Sequence, residues 1–451
     1  MTRPRNWDWC RRLIGVAEPL ITPHLCLRWL ARDAGLTAAI AGKPCSYLIE
    51  RNTPMAVKIL WYLTTPDGPY PWEPEGRWQT DFEHLKQLAV ASDRLGYYGA
   101  LLGSSPNESL AVSAALIDAT QRLRFLVAQH PGELSPAVLA KWALTFDQFS
   151  NGRLLFNVVN GNDAGLATLG VHYPHDQRYD FSLEYWRAFQ GFYAGDTSGY
   201  DGQYVKLAPR AAGAANHPLG GWHPPRQKPG IALWGAGTSG PGVAHSVQLL
   251  DVYLSFANTP PKLGDKFRKV AAEAAKIGRE LTFGTRLQII VRETEEEAWA
   301  HAEKLLQRTS LQTARNAVER QLPAGETFDS FHSDDPQTQR NLDTLRAGRL
   351  PKARDLEIYP NVWLGPSLFG FNILGPAAGT YLVGSAEQVA ERIREYEAQG
   401  TSAFILSGFP LIDEAHRVAD LLFPLLDLDH GFDVPRLGVS RRTAPRTTEQ
   451  A

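Results

Sequence analysis

From Val57 onward, short runs of β-branched and aromatic residues alternate with stretches of helical period, which is the pattern of a parallel sheet with crossover helices. Eight such runs can be read: 58–63 (KILWYL), 99–103 (GALLG), 124–129 (RFLVAQ), 154–161 (LLFNVVNG), 230–235 (GIALWG), 251–257 (DVYLSFA), 282–291 (TFGTRLQIIV) and 403–409 (AFILSGF). Eight is the number that closes a barrel, so the expected fold is α/β, a (β/α)8 TIM barrel with insertions. Punctuation supports the intervening helices. Residues 81–95 end at Gly96, Ser135-Pro136 opens a helix that stops near Gly152, and 262–277 stops at Gly278. Thr294 with Glu297 and Ser385 with Gln388 have capping-box spacing.

Two stretches break the rhythm, 193–228 and 308–379, and long insertions on a barrel are expected to act as lids over the active-site end. The barrel is assigned to 55–428. Residues 1–54 read as an extension, either disordered or lying ahead of a true start at Met55, and 429–451, rich in Arg, Pro, Ser and Thr, as a disordered tail. All three cysteines fall within the first 45 residues, so the barrel has no thiolate chemistry. The net charge of −2 gives no electrostatic reason for nucleic acid or an anionic membrane as partner. No apolar run reaches the roughly 18 residues of a spanning helix, and the expected location is cytoplasmic.

The segment Gly235-Ala-Gly237-Thr238-Ser239-Gly240 matches the dinucleotide fingerprint in form, but Asp251 follows Gly240 by only 11 positions and the motif lies at the fifth strand. Two local readings remain. The glycines serve a tight turn through their φ angles, or the turn presents backbone N–H groups and the Thr238 and Ser239 hydroxyls to a phosphate such as that of FMN. After the fourth strand stand Asn157, Asn160, Asn162 and Asp163, then His175, Arg178 and Tyr179. A buried amide such as Asn160 needs a ligand or a network, and Arg178 with Tyr179 either meets a phosphate or caps the next helix. The strand ends offer Gly103, Ser104, Asn160, Gly235, Ala257 and Gly408 rather than paired carboxylates or clustered histidines, which argues against a glycosidase or a metal hydrolase. Such a barrel suits an organic cofactor.

The segments 91–97 (ASDRLGY), 120–128 (TQRLRFLVA), 144–161 and 406–410 (LSGFP) resemble the bacterial luciferase-like flavin-dependent monooxygenases over 55–427, and 286–294 and 421–427 are similar to the FMNH2-dependent alkanesulfonate monooxygenases. The resemblance implies an oxygenase to which a separate NAD(P)H-dependent flavin reductase delivers FMNH2. O2 then adds at flavin C4a, and the peroxide oxygenates a small organic substrate. It places Ser104, Asn160, His175, Arg178, Tyr179 and Ser239 at the flavin, beside Thr238 and Gly240 of the glycine turn, and Arg286 and Gln288 in the catalytic centre. Trp61, Phe256, Trp363 and Phe409 are expected in the substrate pocket, and the relatives imply a homo-oligomer.

The departures bear on specificity. Gln288 replaces a histidine, Phe256 a tryptophan and Phe409 a tyrosine. No cysteine lies near 105–108, and the lid stretch 365–379 carries no charge, offering Phe369, Phe371 and Asn372 instead of an arginine. A permanently anionic sulfonate would be poorly paired there, so a less charged substrate is expected, with other organosulfur compounds as one class. Two further readings stay open on the same barrel: a deazaflavin (F420)-dependent oxidoreductase, and a flavin-binding protein without catalysis.

Overall fold

The structure, a computed structural model, describes residues 56–104, 106–210, 221–323, 325–368 and 370–432. The expected extension 1–54 and most of the expected tail lie outside these, as do Ser105 and Phe369.

Each of the eight runs forms a barrel strand: β1 (Lys58–Leu63), β2 (Gly99–Leu102), β3 (Arg124–Gln129), β4 (Leu154–Val158), β5 (Leu233–Gly235), β6 (Val252–Phe256), β7 (Thr282–Arg292) and β8 (Thr401–Ser407). Neighbours pair in parallel in that order, and β8 returns to β1 with Lys58 opposite Ala403 and Trp61 opposite Leu406, which closes the sheet. Period-two alternation then sorts the side chains. Leu60, Tyr62, Leu101, Leu126, Leu155, Trp234, Val252, Leu254, Ala403 and Ile405 fill the interior as a cluster to which no helix contributes. Ile59, Trp61, Phe125, Phe156, Tyr253, Phe404 and Leu406 point the other way, into the layer shared with the helices.

The surrounding helices are α1 (Phe82–Leu95), α2 (Ser109–Ala115), α3 (Pro136–Ser150), α4 (His175–Ala194), α5 (Gly240–Leu249), α6 (Pro260–Lys276), α7 (Glu295–Gln307), α8 (Ala386–Ala398) and α9 (Leu411–Arg417). Their signals act as read. Asp81 caps α1, and Gly96 ends it in the left-handed region at φ 85°. At α8 the Ser385–Gln388 box is reciprocal, whereas at α7 the Thr294 side chain caps the Glu297 N–H without a return bond.

The 308–379 insertion, expected as a lid, leads into strands of the barrel sheet. β7 has 11 residues and outruns β6, which stops opposite Arg286. Gln288 pairs with Ser407 on one edge and Tyr381 on the other, so the strand Thr380–Ser385 continues β6's side of β7, from Tyr381 opposite Gln288 to Ser385 opposite Arg292. Val362–Leu364 and Glu357–Tyr359 add antiparallel strands outside it. The 193–228 stretch holds a two-stranded ribbon, Tyr200–Asp201 with Lys206–Leu207. The described chain also runs past the expected boundary at 428. Asp429 N–H donates to Val57 O at 2.9 Å and Lys58 pairs with the Asp429 carboxylate at 3.2 Å, so the segment is tied to the start of β1.

The end of β7 is anchored by a buried ion pair, the Arg292 guanidinium donating to both Glu414 oxygens of α9 at 2.9 and 2.8 Å. Removing one partner strands the other charge in the core. Arg292→Met is expected to lower stability by about 3–5 kcal/mol in urea unfolding, and adding Glu414→Leu to recover much of it.

Candidate active site

The carboxyl ends of the strands meet at one mouth, and β7 supplies its most polar row. Arg286 and Gln288, two residues apart, share the inward face. Arg286 is 8% exposed, with its guanidinium carbon 4.5 Å from the centroid of the Tyr62 ring. Burial pulls its pKa below the ordinary value, and the nearby Tyr62 and Tyr381 hydroxyls oppose that shift. Gln288 is fully buried; its Oε1 accepts from Ser407 Oγ at 2.7 Å, while its Nε2 meets no acceptor among the described residues. Opposite Arg286, Phe256 is 51% exposed, an apolar ring facing the open mouth.

The glycine turn after β5 forms a second centre. None of Gly235, Gly237 and Gly240 has positive φ, so the turn does not need glycine for its dihedral angles. At Gly235 and Gly237 it needs glycine for space, whereas at Gly240 a Cβ would meet nothing within 4 Å. A Cβ on Gly237 would lie 2.5 Å from Gly242 O, and one on Gly235 3.0 Å from Val158 O. Tyr253 Oη donates to Gly237 O at 2.7 Å and fixes the turn from behind. Ser239 caps α5 by accepting from Gly242 N–H at 3.2 Å, and Thr238 and Gly240 are exposed. The first turn of α4 faces this helix start. The Tyr179 hydroxyl reaches within 3.1 Å of where a Gly242 Cβ would stand. The Tyr179 ring packs on His175 at 5.3 Å and His245 at 5.6 Å. Arg178 is buried beside it, ion-paired with Asp163, and its Nε has no partner among the described residues.

A cavity of about 440 Å³ joins the turn to the barrel rim, lined by Tyr179, Gly237, Thr238, Phe256, Lys262 and Lys266 among others, and by Pro376 and Ala377 of the insertion. At the end of β4, Asn160 is 7% exposed, and neither its Oδ1 nor its Nδ2 meets a partner among the described residues.

The structure therefore gathers Tyr179, Thr238, Ser239 and Gly240, with His175 and Arg178 adjoining, and sets Arg286 and Gln288 on β7 with Phe256 opposite Arg286 on β6. Ser104 lies exposed after β2. The expected pocket aromatics do not assemble. Trp61 faces outward, packed on Tyr97 with ring centroids 5.4 Å apart, because the inward position of β1 belongs to Tyr62. Trp363 is fully buried in the insertion against Tyr381 at 4.9 Å, and Phe409 is buried against Trp72 at 6.0 Å. Sequence reasoning missed Tyr62 and Trp234, which face into the barrel, because alternation within a nearly continuous apolar run leaves the phase open. The strand ends are also less neutral than expected, since His130 Nδ1 lies 3.0 Å from Glu133 just after β3.

The model of the family described as luciferase-like monooxygenase matches residues 57–403, most of the chain. The chain belongs to the luciferase-like monooxygenase family. The membership makes it an enzyme of the flavin-dependent monooxygenase class. Among solved structures it is similar to a riboflavin lyase determined with modified FMN and riboflavin (17% identity over 84% of this chain and 94% of that one, TM-score 0.62). It is similar also to a long-chain alkane monooxygenase (16%, 82% and 91%, 0.63) and to the coenzyme F420-dependent tetrahydromethanopterin reductase of Methanopyrus kandleri (14%, 82% and 99%, 0.56). At these identities the likeness is one of fold. No helix among the described residues is long and apolar enough to cross a membrane.

The helices that frame the glycine turn are joined by His245 of α5, whose Nε2 lies 2.9 Å from Ser182 Oγ of α4. Burial pushes this imidazole down to about 4. The unfolded chain then binds a proton that the folded one refuses as pH falls from about 6.5, so the stability held above that pH is lost towards pH 4, on the order of 3 kcal/mol. Urea unfolding at pH 7 and pH 4.5 is expected to show a smaller difference for His245→Gln than for the parent.

Proposed function

We propose that the chain binds reduced FMN, delivered by a separate NAD(P)H-dependent reductase, and uses O2 to oxygenate a small organic substrate of low charge, with organosulfur compounds the favoured class. The observation that carries the flavin reading is the Asn160 amide, buried at the mouth with both polar atoms unpartnered among the described residues. Leaving such groups unmade costs about 1–3 kcal/mol each, and the polar edge of a flavin would remove that cost. The glycine turn fits the phosphate, since it packs too closely for side chains and sets backbone and hydroxyl groups at the start of α5.

Reduced flavin supplies the activation of O2 when bound. The chain's own residues do the rest. Arg286, held over the Tyr62 ring, places a buried positive charge at the mouth, where it binds a polar oxygen of the substrate or steadies negative charge that develops there. Gln288, fixed through its Oε1 by Ser407, donates from Nε2. Pro376 and Ala377 bring the insertion over the cavity, and exclusion of water protects an oxygenating species from unproductive decay. The uncharged lid and the half-exposed Phe256 favour an apolar body over a sulfonate. A cytoplasmic homo-oligomer is the form inferred from the family.

Anaerobic titration is expected to show reduced FMN binding more tightly than oxidised FMN. Binding of F420 in place of either form would replace the oxygenase reading with hydride transfer on the same barrel. Arg286→Ala is expected to lower oxygenated product per reduced flavin consumed by about 100-fold or more, the scale for losing one preorganised charge-stabilising group, with reduced-FMN affinity changed little. Unchanged coupling would remove Arg286 from the reaction.

A further inference from the structure

The 440 Å³ cavity that Gly237 and Thr238 of the glycine turn line is lined also by two cations of α6, Lys262 and Lys266. Lys262 is exposed. Lys266 is not: its stem is drawn into the layer between α6 and β6, where its Nζ donates to Ser255 Oγ at 2.8 Å and lies 6.0 Å from the centroid of the Tyr253 ring. Among the described residues it has no carboxylate within ion-pair distance. The Tyr253 ring is the same one whose hydroxyl holds Gly237 O at 2.7 Å, so the cation, the ring and the turn form one connected unit.

A half-buried ammonium without a counter-ion is unfavourable, and burial pulls the Lys266 pKa below its ordinary value. A structural lysine in such a place normally reaches bulk water or pairs with an acid. Here the open side is the cavity, whose lining also includes Tyr179 and Gly237 and Thr238 of the turn that leads into α5. Those groups are suited to an anion, and Lys266 lines the same cavity.

We propose that Lys266 is a phosphate-holding residue, one that closes the anion subsite begun by the glycine turn and so makes the protein select the phosphorylated flavin over riboflavin. This rests on the flavin reading above and adds a determinant from a different helix. Lys262, at the exposed rim, contributes attraction at longer range, which salt screens.

The test is anaerobic calorimetric titration of the full chain with reduced FMN and with reduced riboflavin, for the parent, Lys266→Met and Lys266→Arg. Methionine keeps most of the stem and removes the charge, and arginine restores the charge. The parent is expected to prefer reduced FMN. Lys266→Met is expected to weaken FMN about tenfold, leave riboflavin within twofold, and be rescued at least in part by Lys266→Arg. Equal weakening of both flavins would assign Lys266 to packing and overturn the proposal. An undiminished FMN preference in Lys266→Met would overturn it too, while leaving the flavin reading in place. A parent that binds neither flavin would remove the flavin reading and this subsite together.

Discussion

A strand that outruns its neighbour leaves backbone N–H and C=O groups without partners, and in a buried sheet those groups must be paired. That requirement governs the mouth of this barrel. β7 extends past the end of β6, and the vacant edge is taken by Thr380–Ser385 at the close of the long insertion. The insertion is thereby fixed to the barrel by parallel hydrogen bonds. Tyr381 comes to stand opposite Gln288, and Pro376 and Ala377 come to border the cavity. The Arg292–Glu414 pair then holds the far end of the same strand against α9. Because its backbone is held on both edges at Gln288, β7 is a rigid support on which a buried guanidinium and a buried amide can keep fixed directions.

The two groups of residues at the mouth differ in physical character. The α4–α5 side is built from helix starts, hydroxyls and backbone packed too closely for side chains, with cations lining the same cavity, and is suited to an anionic tail. The β7 side is built from one desolvated charge beside aromatic rings, with an apolar Phe256 opposite. A cofactor that spans the two would have its polar tail anchored on one side and its reactive ring next to Arg286 on the other. The luciferase-like family supplies the class of chemistry; the low charge of the lid and the glutamine on β7 bear on which substrate this member takes.

Much of this was legible in the residues. The eight strands were readable because each is a compact run of β-forming residues bounded by turn or cap signals, and parallel strands buried on both faces read as nearly continuous apolar segments. The same continuity hides which face is which. Trp61 and Tyr62 are adjacent aromatics in an apolar run, and no polar residue marks the solvent side, so pattern alone does not tell which one looks into the barrel. Closure decided for Tyr62 and sent Trp61 to the helix layer. Trp363 and Phe409 were similarly drawn into packing that forms only when the insertion and the loop around Trp72 meet the barrel.

The sequence by itself determined the barrel, its helix caps, the glycine turn and the placing of Arg286 and Gln288 on one strand, because each depends on local periodicity or on residues within a few positions of one another. Only the tertiary structure decided why the turn needs glycine, which rings face the mouth, and that Lys266 and Tyr179 border one cavity. Those facts depend on contacts between segments far apart in the chain. Gly235 is crowded by the carbonyl of Val158 on the neighbouring strand, and Lys266 approaches the turn through Tyr253 of another strand. Close approach of this kind is set by how the layers pack and leaves no period in the sequence to read.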